Sequence, residues 1–394
     1  ICMIAPNNST TIQEKFEMWG NVLKLKTKKL FYKILNPTGP IWRKHRKIAS
    51  PNYSKRAVES YSEVFNKEVN DLLKNVILIC VFFSETLMGL TKEETLKLPH
   101  FQKVIDDSPS MYSVVFRRMT RWYLQIDPVF WVSSENYTQK NFMKLMTEFC
   151  ERILLNRAES LKTLEGSKGD LMNTEDDVGV NTQLSVIDRF LLSQELNKDE
   201  LVQETFTIFT SVSFYTGCKH LLEISLLTKI KSVIGDEDRN VTDDDFKQMP
   251  YLEMVFKEVL RLFPIGAVLQ RTITEDISIN THTLPAGCSL MILIYHLHRD
   301  PRFWPNPDRF DPERFNPENM KKRNPNCYVP FSLGSMDCLG RYFGIKLIKT
   351  ICTRVLREFE LTSTETYDDL RVIISISVAS MNGFPIMLNP RINK

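Results

Sequence analysis

Seven of the chain's 19 prolines fall between Pro301 and Pro330. Proline fixes φ and lacks a backbone donor, so this density rules out a continuous helix or a central strand there. The stretch must be an ordered meander, and strong helical patterns bracket it. In Pro250–Pro264, apolar Leu252, Val255, Phe256, Val259, Leu260 and Phe263 recur at three- and four-residue steps, with prolines near the start and at the stop. Beyond the meander, Phe343, Leu347, Ile348, Ile351, Cys352, Val355, Leu356 and Phe359 form another stripe. Leu201–Thr216 is a third candidate helix, apolar nearly all round and therefore expected to be buried.

Strand signals are fewer. Asp276–Asn280 and Ser289–Tyr295 flank the turn sequence Leu284-Pro285-Ala286-Gly287 and predict one hairpin. Val372–Val378 and Ile386–Leu388 flank Asn382-Gly383 and predict a second. The pattern is that of a mainly α chain with a small β region. At 394 residues with 43% hydrophobic content there is ample material for a large core, and no long linker divides the chain. A net charge of +3 gives no ground for nucleic-acid binding. The eight cysteines show no Cys-x-x-Cys pair and read as the reduced thiols of an intracellular protein. The longest apolar run, Val76 to Phe83, is far short of a membrane span. The chain begins with Ile1, so its start is expected to lie upstream, where an anchor could have stood.

The chemistry concentrates directly after the meander, in Phe331-Ser332-Leu333-Gly334-Ser335-Met336-Asp337-Cys338-Leu339-Gly340. One cysteine stands between two glycines, after an extended run and before a helix. The glycines permit close backbone approach, and the helix N-terminus favours thiolate over thiol. Such a setting suits a thiolate that must reach a metal cofactor. Glu258 and Arg261 lie three residues apart on one helix face, a spacing that is most often a solvated surface pair. Trp42-Arg43-Lys44-His45-Arg46 reads by itself as a basic, solvent-facing helix. A zinc site built from His296, His298, Cys327 and Cys338 is the bland metal alternative, although no second closely spaced pair supports it.

The cysteine stretch resembles the haem-ligand loop of the cytochrome P450 family, written Phe-x-x-Gly-x-Arg-x-Cys-x-Gly. Every marked residue matches except Met336, which stands where the family has arginine. Glu258-x-x-Arg261 with Arg314, from Asp311-Pro312-Glu313-Arg314-Phe315, resembles the family's buried charged triad, a structural lock. Trp42 and Arg46 resemble the Trp-x-x-x-Arg helix that binds haem propionates through an indole N–H and a guanidinium. Gly89 after Ser84–Met88, and His296-x-His298-Arg299-Asp300-Pro301 with Phe303-Trp304, resemble blocks of family-4 members, the fatty-acid-hydroxylating branch. The likeness runs from about Phe31 to the C-terminus and is most specific from Tyr251 onward.

The resemblance implies a single cytochrome P450 domain over residues 1–394. It implies haem b with iron held by the Cys338 thiolate, whose electron donation promotes O–O cleavage. Phe331 is expected to cover the loop, Gly334 and Gly340 to permit the approach, and Trp42, Arg46 and His298 to hold the haem. The implied reaction is monooxygenation of an apolar substrate, a fatty acid or similar lipid. Electrons come from an NADPH-dependent flavoprotein reductase, with cytochrome b5 a further candidate donor. Location on the cytosolic face of the endoplasmic reticulum membrane follows for the full-length relative. Arg341, Lys346, Lys349, Arg354 and Arg357 with Lys321-Lys322-Arg323 are the expected basic face for the reductase.

Three departures set limits on that implication. Met336 removes a donor of charge-assisted hydrogen bonds and predicts weakened haem binding. Phe214-Tyr215-Thr216 aligns with the family's acid-Thr-Thr, so the acid is gone and Thr216 or Tyr215 is left as proton relay. Ser211 falls where many family-4 members carry the glutamate that esterifies haem, so no covalent haem is expected. Lys231-Ser232-Val233-Ile234-Gly235-Asp236 matches a downstream block about three helical turns too early, which implies loss of half the central helix. Two other outcomes therefore stand beside the monooxygenase. One is a haem-thiolate isomerase or lyase that rearranges peroxides, and the other is a degenerate, non-catalytic paralogue or partial gene product.

Overall fold

A computed structural model describes residues 2–4, 40–72, 83–165, 184–213, 233–234, 239–279, 282–362, 371–374, 378–381 and 387–391. The architecture is mainly helical with small sheets, as the sequence patterns predict. The chain divides into two compact units, residues 19–213 and residues 1–18 with 214–394.

The unit of residues 19–213 is built from helices. Its main ones are α1 (Pro40–Ala49), α2 (Ser62–Leu72), α3 (Phe101–Thr120), α4 (Ser134–Glu165), α5 (Val186–Ser193) and α6 (Lys198–Ser213). Helices α3, α4 and α6 meet through a knot of phenylalanines. Phe149 packs edge-on to Phe209 at 4.9 Å, and Phe101 stacks on Phe149 at 6.4 Å. These rings and Met146, Cys150 and Ile153 are fully or almost fully enclosed. Cys150 is an inert core residue, because burial pushes its thiol well above the usual cysteine range. Helix α6 buries Val202, Phe206, Ile208 and Phe209, as its nearly all-round apolar pattern predicts.

Gly89 closes a lock in this unit. It terminates the turn Ser84–Met88 in the left-handed conformation, φ 71°, a state that costs a residue with a Cβ about 1–2 kcal/mol. Its carbonyl accepts a hydrogen bond from the Arg157 guanidinium of α4, which also makes two 3.0 Å hydrogen bonds to the Asp188 carboxylate of α5. Asp188 in turn forms a capping box with Ser185. A Cβ at residue 89 would stand 2.9 Å from both Arg157 Cζ and Ser185 Oγ. Backbone strain and overpacking together predict that Gly89→Ala destabilises the protein by about 3 kcal/mol. Urea unfolding measures this, and a loss below about 1 kcal/mol would show that the lock yields cheaply.

In the other unit, helix α7 (Pro250–Leu262) starts on a proline, where no backbone donor is needed, and ends before Pro264. Strands β1 (Cys2–Ile4), β2 (Val268–Thr272) and β5 (Ser289–Leu293) form an antiparallel sheet in the order β1-β5-β2. Strands β3 (Ile277–Ile279) and β4 (His282–Leu284) pair with each other. Helix α8 (Arg341–Glu358) leads into β6 (Phe359–Thr362), followed by β7 (Val372–Ile374), β8 (Val378–Ser380) and β9 (Met387–Pro390).

Both predicted hairpins pair differently from expectation. The Leu284–Gly287 turn does not join two partner strands. Gly287, at φ 84°, donates to the Ile273 carbonyl and redirects the chain out of β4 into β5, whose partners are β2 and β1. The run Val372–Val378 is not one strand either, because β7 folds back onto β8 while β9 pairs with β6. Residues 382 and 383 lie outside the described residues. The register of short strands depends on distant partners that local alternation does not encode.

The proline-rich meander is ordered by a repeated local device. Asp311-Pro312, Asn316-Pro317 and Asn324-Pro325 each place a side-chain acceptor just before a proline. Each Asp or Asn caps the N–H two residues on, and each proline opens a short turn of helix. The Pro317–Lys321 turn is α-helical, a correction to the expectation that no regular helix could form here. Proline at the first helical position forfeits no hydrogen bond.

Candidate functional site

The Cys338 loop lies between the end of the meander and the N-terminus of α8. Ser332 N–H donates to the Val329 carbonyl at 3.1 Å, Asp337 N–H to the Gly334 carbonyl at 3.1 Å, and Cys338 N–H to the Phe331 carbonyl at 2.8 Å. These bonds fold the segment into a compact arch that presents Cys338 on its exposed side. Gly334 is needed for its backbone, φ 82°, since a Cβ there would meet nothing within 4 Å. Gly340 takes the N-cap position of α8 at an ordinary φ of −80°. Phe331 is half-buried, with the Arg341 guanidinium 5.7 Å from its ring. Met336 is half-buried in the arch.

Glu258, Arg261 and Arg314 come together against the meander. Arg261 Nε lies 2.7 Å and Nη2 2.8 Å from the two Glu258 oxygens, and both side chains are fully enclosed. Glu258 also accepts the Asp311 N–H at 2.8 Å, and Arg314 Nε lies 3.5 Å away. Each guanidinium spends its remaining donors on meander carbonyls. Arg261 bonds to those of His298, Pro307 and Arg309, and Arg314 to those of Pro305 and Asn306. Burial presses the Arg314 pKa down, with Arg261 adding to this and Glu258 opposing it. Trp304 lies against the cluster between Arg261 and Arg323, 5.2 and 4.2 Å from its ring.

His298 was expected to reach a haem carboxylate, and here the structure differs. The imidazole is fully buried, stacks on Tyr328 at 5.3 Å and uses Nε2 to accept the Val329 N–H at 3.0 Å. Burial, reinforced by the Arg261 charge, pushes its pKa down to about 3, so the ring is neutral. An enclosed neutral ring with its acceptor occupied supports the loop from behind and does not bind a carboxylate. The zinc alternative fails with it. Cys327 is buried in the Trp304–Phe315 cluster, and among the described residues no group of three His, Cys, Asp or Glu could hold a metal ion.

Within the unit of residues 19–213, α1 places Trp42 and Arg46 on one face, the guanidinium 5.4 Å from the indole ring. The helix is not merely a solvated basic surface. His45, between them in sequence, is buried and its Nδ1 lies 2.8 Å from Glu204 Oε1 of α6. Lys44 reaches Glu195. Tyr215 and Thr216, with Phe214, lie outside the described residues.

The expected basic face is largely consumed by internal pairs. Lys346 bonds to Asp243, Lys349 to Glu253 and Arg354 to Glu358, while Arg357 donates to the Arg239 carbonyl. Arg323 donates to the Phe303 and Arg314 carbonyls. Of that set, Arg341, Lys321 and Lys322 are exposed, and Lys321 pairs with Glu318. Asp243 and Glu253 are remote in sequence from their lysines, which is why the pairing is invisible to a local reading.

Two residues at the loop were missed by sequence reasoning. Arg271 of β2 lies 3.2 Å from Ser332 Oγ, and Tyr328 donates its hydroxyl to the Lys257 carbonyl at 2.9 Å. The first carried a usable signal, a cation inside the otherwise uncharged strand Val-Leu-Gln-Arg-Thr.

The residues of the loop fit a haem iron. They present one exposed cysteine just before a helix N-terminus, with open space beside Gly334, on a loop held by backbone hydrogen bonds of its own. A metal bound through a single protein thiolate needs no further protein ligand cluster.

The family model for Cytochrome P450 matches residues 223–379, a span that contains the Cys338 loop and the Glu258 cluster. Human cytochrome P450 4V2 is 28% identical over 390 residues, covering 91% of this chain and 74% of that protein. The mouse protein of the same name is 29% identical, covering 92% and 76%. Cytochrome P450 4c3 of Drosophila melanogaster is 26% identical, covering 91% and 73%. The cysteine loop, the charged cluster and these relatives together make the chain similar to cytochromes P450, those of family 4 among them.

Proposed function

We propose that this chain is a haem-thiolate monooxygenase that places one oxygen atom of dioxygen into a C–H bond of an apolar substrate, with Cys338 as axial ligand. The single observation that carries this is the exposed Cys338 thiol on an arch closed by the Cys338 N–H to Phe331 carbonyl bond. Bound haem supplies the dioxygen chemistry, and a thiolate ligand favours O–O cleavage. The chain's own residues do the rest. Phe331 shields one side of the sulfur, and Gly334 sets the turn that brings Cys338 outward. Trp42 and Arg46, by their likeness to the family's propionate-binding helix, hold haem carboxylates, and Arg271 is a further cation close to the arch. Thr216 or Tyr215 moves protons in place of the acid that Phe214 has replaced.

The substrate class is a fatty acid or similar lipid, by analogy with the fatty-acid-hydroxylating branch of the family. Electrons come from an NADPH-dependent flavoprotein reductase, with cytochrome b5 as a further donor. The place of action is the endoplasmic reticulum membrane surface. Among the described residues no helix is long and apolar enough to cross a membrane.

One observation favours a second reading. With Phe214 at the acid position, a peroxide substrate that needs no proton delivery to dioxygen suits the chain, so peroxide rearrangement by an isomerase or lyase stands beside hydroxylation. A reduced carbon-monoxide difference spectrum of the expressed chain tests both. A strongly red-shifted Soret band is expected, and a chain that takes up no haem overturns both readings in favour of a degenerate paralogue. Turnover of a lipid hydroperoxide without NADPH then separates rearrangement from hydroxylation.

A further inference from the structure

The Cys338 arch is short, and none of its internal bonds ties it to the body of the protein. Arg271 of β2 reaches it at Ser332 Oγ, and a second anchorage comes from the residues just before it. Val329 N–H finds no carbonyl and donates instead to His298 Nε2 at 3.0 Å. The His298 backbone carbonyl accepts a hydrogen bond from Arg261 at 2.8 Å, so the histidine is itself clamped to the buried ion cluster. On the other side of the bond, the Val329 carbonyl accepts the Ser332 N–H, and the Phe331 carbonyl accepts the Cys338 N–H. A series of hydrogen bonds and short backbone links thus runs from Arg261 through the imidazole to the backbone of the cysteine.

A histidine kept only for packing is a poor choice at this position. The ring is completely buried, and its Nδ1 lies toward the backbone of Leu260 and Arg261 without a well-formed hydrogen bond. A polar ring nitrogen in that state costs free energy that phenylalanine would avoid while stacking equally well on Tyr328. What phenylalanine lacks is a lone pair aimed at the Val329 N–H. The tautomer follows from this bond, with the proton on Nδ1 and the acceptor at Nε2.

We infer that His298 is a positioning residue for Cys338: its Nε2 fixes the Val329 N–H and so registers the arch that presents the thiol. This deepens the reading of Cys338 as the haem ligand and names the residue that aims it. The role is built into the haem-free chain, since every bond in the series is between protein atoms.

Amide hydrogen exchange on the full chain without haem tests this, read by peptide mass spectrometry on two variants. His298→Phe keeps the stack and removes the acceptor. His298→Gln removes the ring and returns an acceptor oxygen near the Nε2 position. Exchange in peptides spanning residues 329–338 is expected to quicken about tenfold in H298F, as for a buried N–H that loses its partner. It should stay within about threefold of the parent in H298Q, while α7 and α8 keep their protection in both. Unchanged exchange in the arch of H298F overturns the assignment. Should H298F lose protection throughout, H298Q decides alone. A slow arch supports the role, and a fast arch beside a protected α7 refutes it. With haem added, H298F should lose the red-shifted carbon-monoxide band that H298Q retains. Because the exchange measurement needs no haem, failure of the chain to bind haem leaves it interpretable.

Discussion

Glu258→Gln is expected to destabilise the protein by about 3–5 kcal/mol, the range for breaking a buried ion pair by removing one partner. The substitution barely changes shape. It does remove the only carboxylate that Arg261 bonds to among the described residues, and Arg261 is fully buried with Arg314 as its like-charged neighbour. The guanidiniums cannot escape by deprotonation, because arginine stays protonated in proteins. They cannot move to water without giving up the carbonyls of His298, Pro305, Asn306 and Pro307. The wild-type cluster is weak evidence of stability in its own right, since a hydrophobic replacement of all three residues could do as well. The loss follows from leaving two charges behind. Denaturant titration monitored by tryptophan fluorescence measures it, because Trp304 touches the cluster. A loss under about 1 kcal/mol would mean that water reaches the guanidiniums in the native state.

Met336→Arg is expected to strengthen haem binding by roughly ten- to a hundredfold. The figure is the value of one charge-assisted hydrogen bond, about 1.5–3 kcal/mol. Two local effects compete with it. Asp337 could draw the new guanidinium away, but an exposed ion pair is worth only about 0–1 kcal/mol. Arg271 and Arg341 already bring positive charge to the arch, and the repulsion between solvated cations is screened over about 8–10 Å at ordinary salt. Neither offsets a charge-assisted bond to a partly desolvated carboxylate. Haem titration into the apo chain, followed by Soret absorbance, gives the dissociation constants of parent and variant. A change smaller than about threefold would show that the arch does not direct residue 336 toward a haem carboxylate.

The parts of the molecule that were legible in the sequence are those fixed by short-range physics. Helix α7 could be read from its three- and four-residue stripe and its bounding prolines, and α8 from the run after Cys338. The loop was marked in the sequence by a cysteine between two glycines, and the positive φ of Gly334 is a backbone feature that close approach alone did not suggest. Strand pairing could not. β5 prefers β1 and β2 to the turn-linked β4, and nothing within Ser289–Leu293 records that choice. The role of His298 was equally hidden. Its sequence neighbours suggest an exposed basic cluster, and only the packing of Tyr328 and the Arg261 clamp enclose it. The basic face failed as an expectation for a similar reason, because Lys346 and Lys349 find their carboxylates about 100 residues away.

The ion cluster also has a consequence in time. A chain made on the ribosome emerges from its N-terminus, and Arg314 follows Arg261 by 53 residues. At roughly 5–20 residues per second, α7 waits several seconds before its third charge and the carbonyls that Arg261 binds are all synthesised. Through that interval its inward face carries charges that no finished environment receives. A message cut short before the codon for Arg314 therefore yields a chain whose α7 cannot dock, a product suited to capture by chaperones and proteases before any cofactor is committed to it.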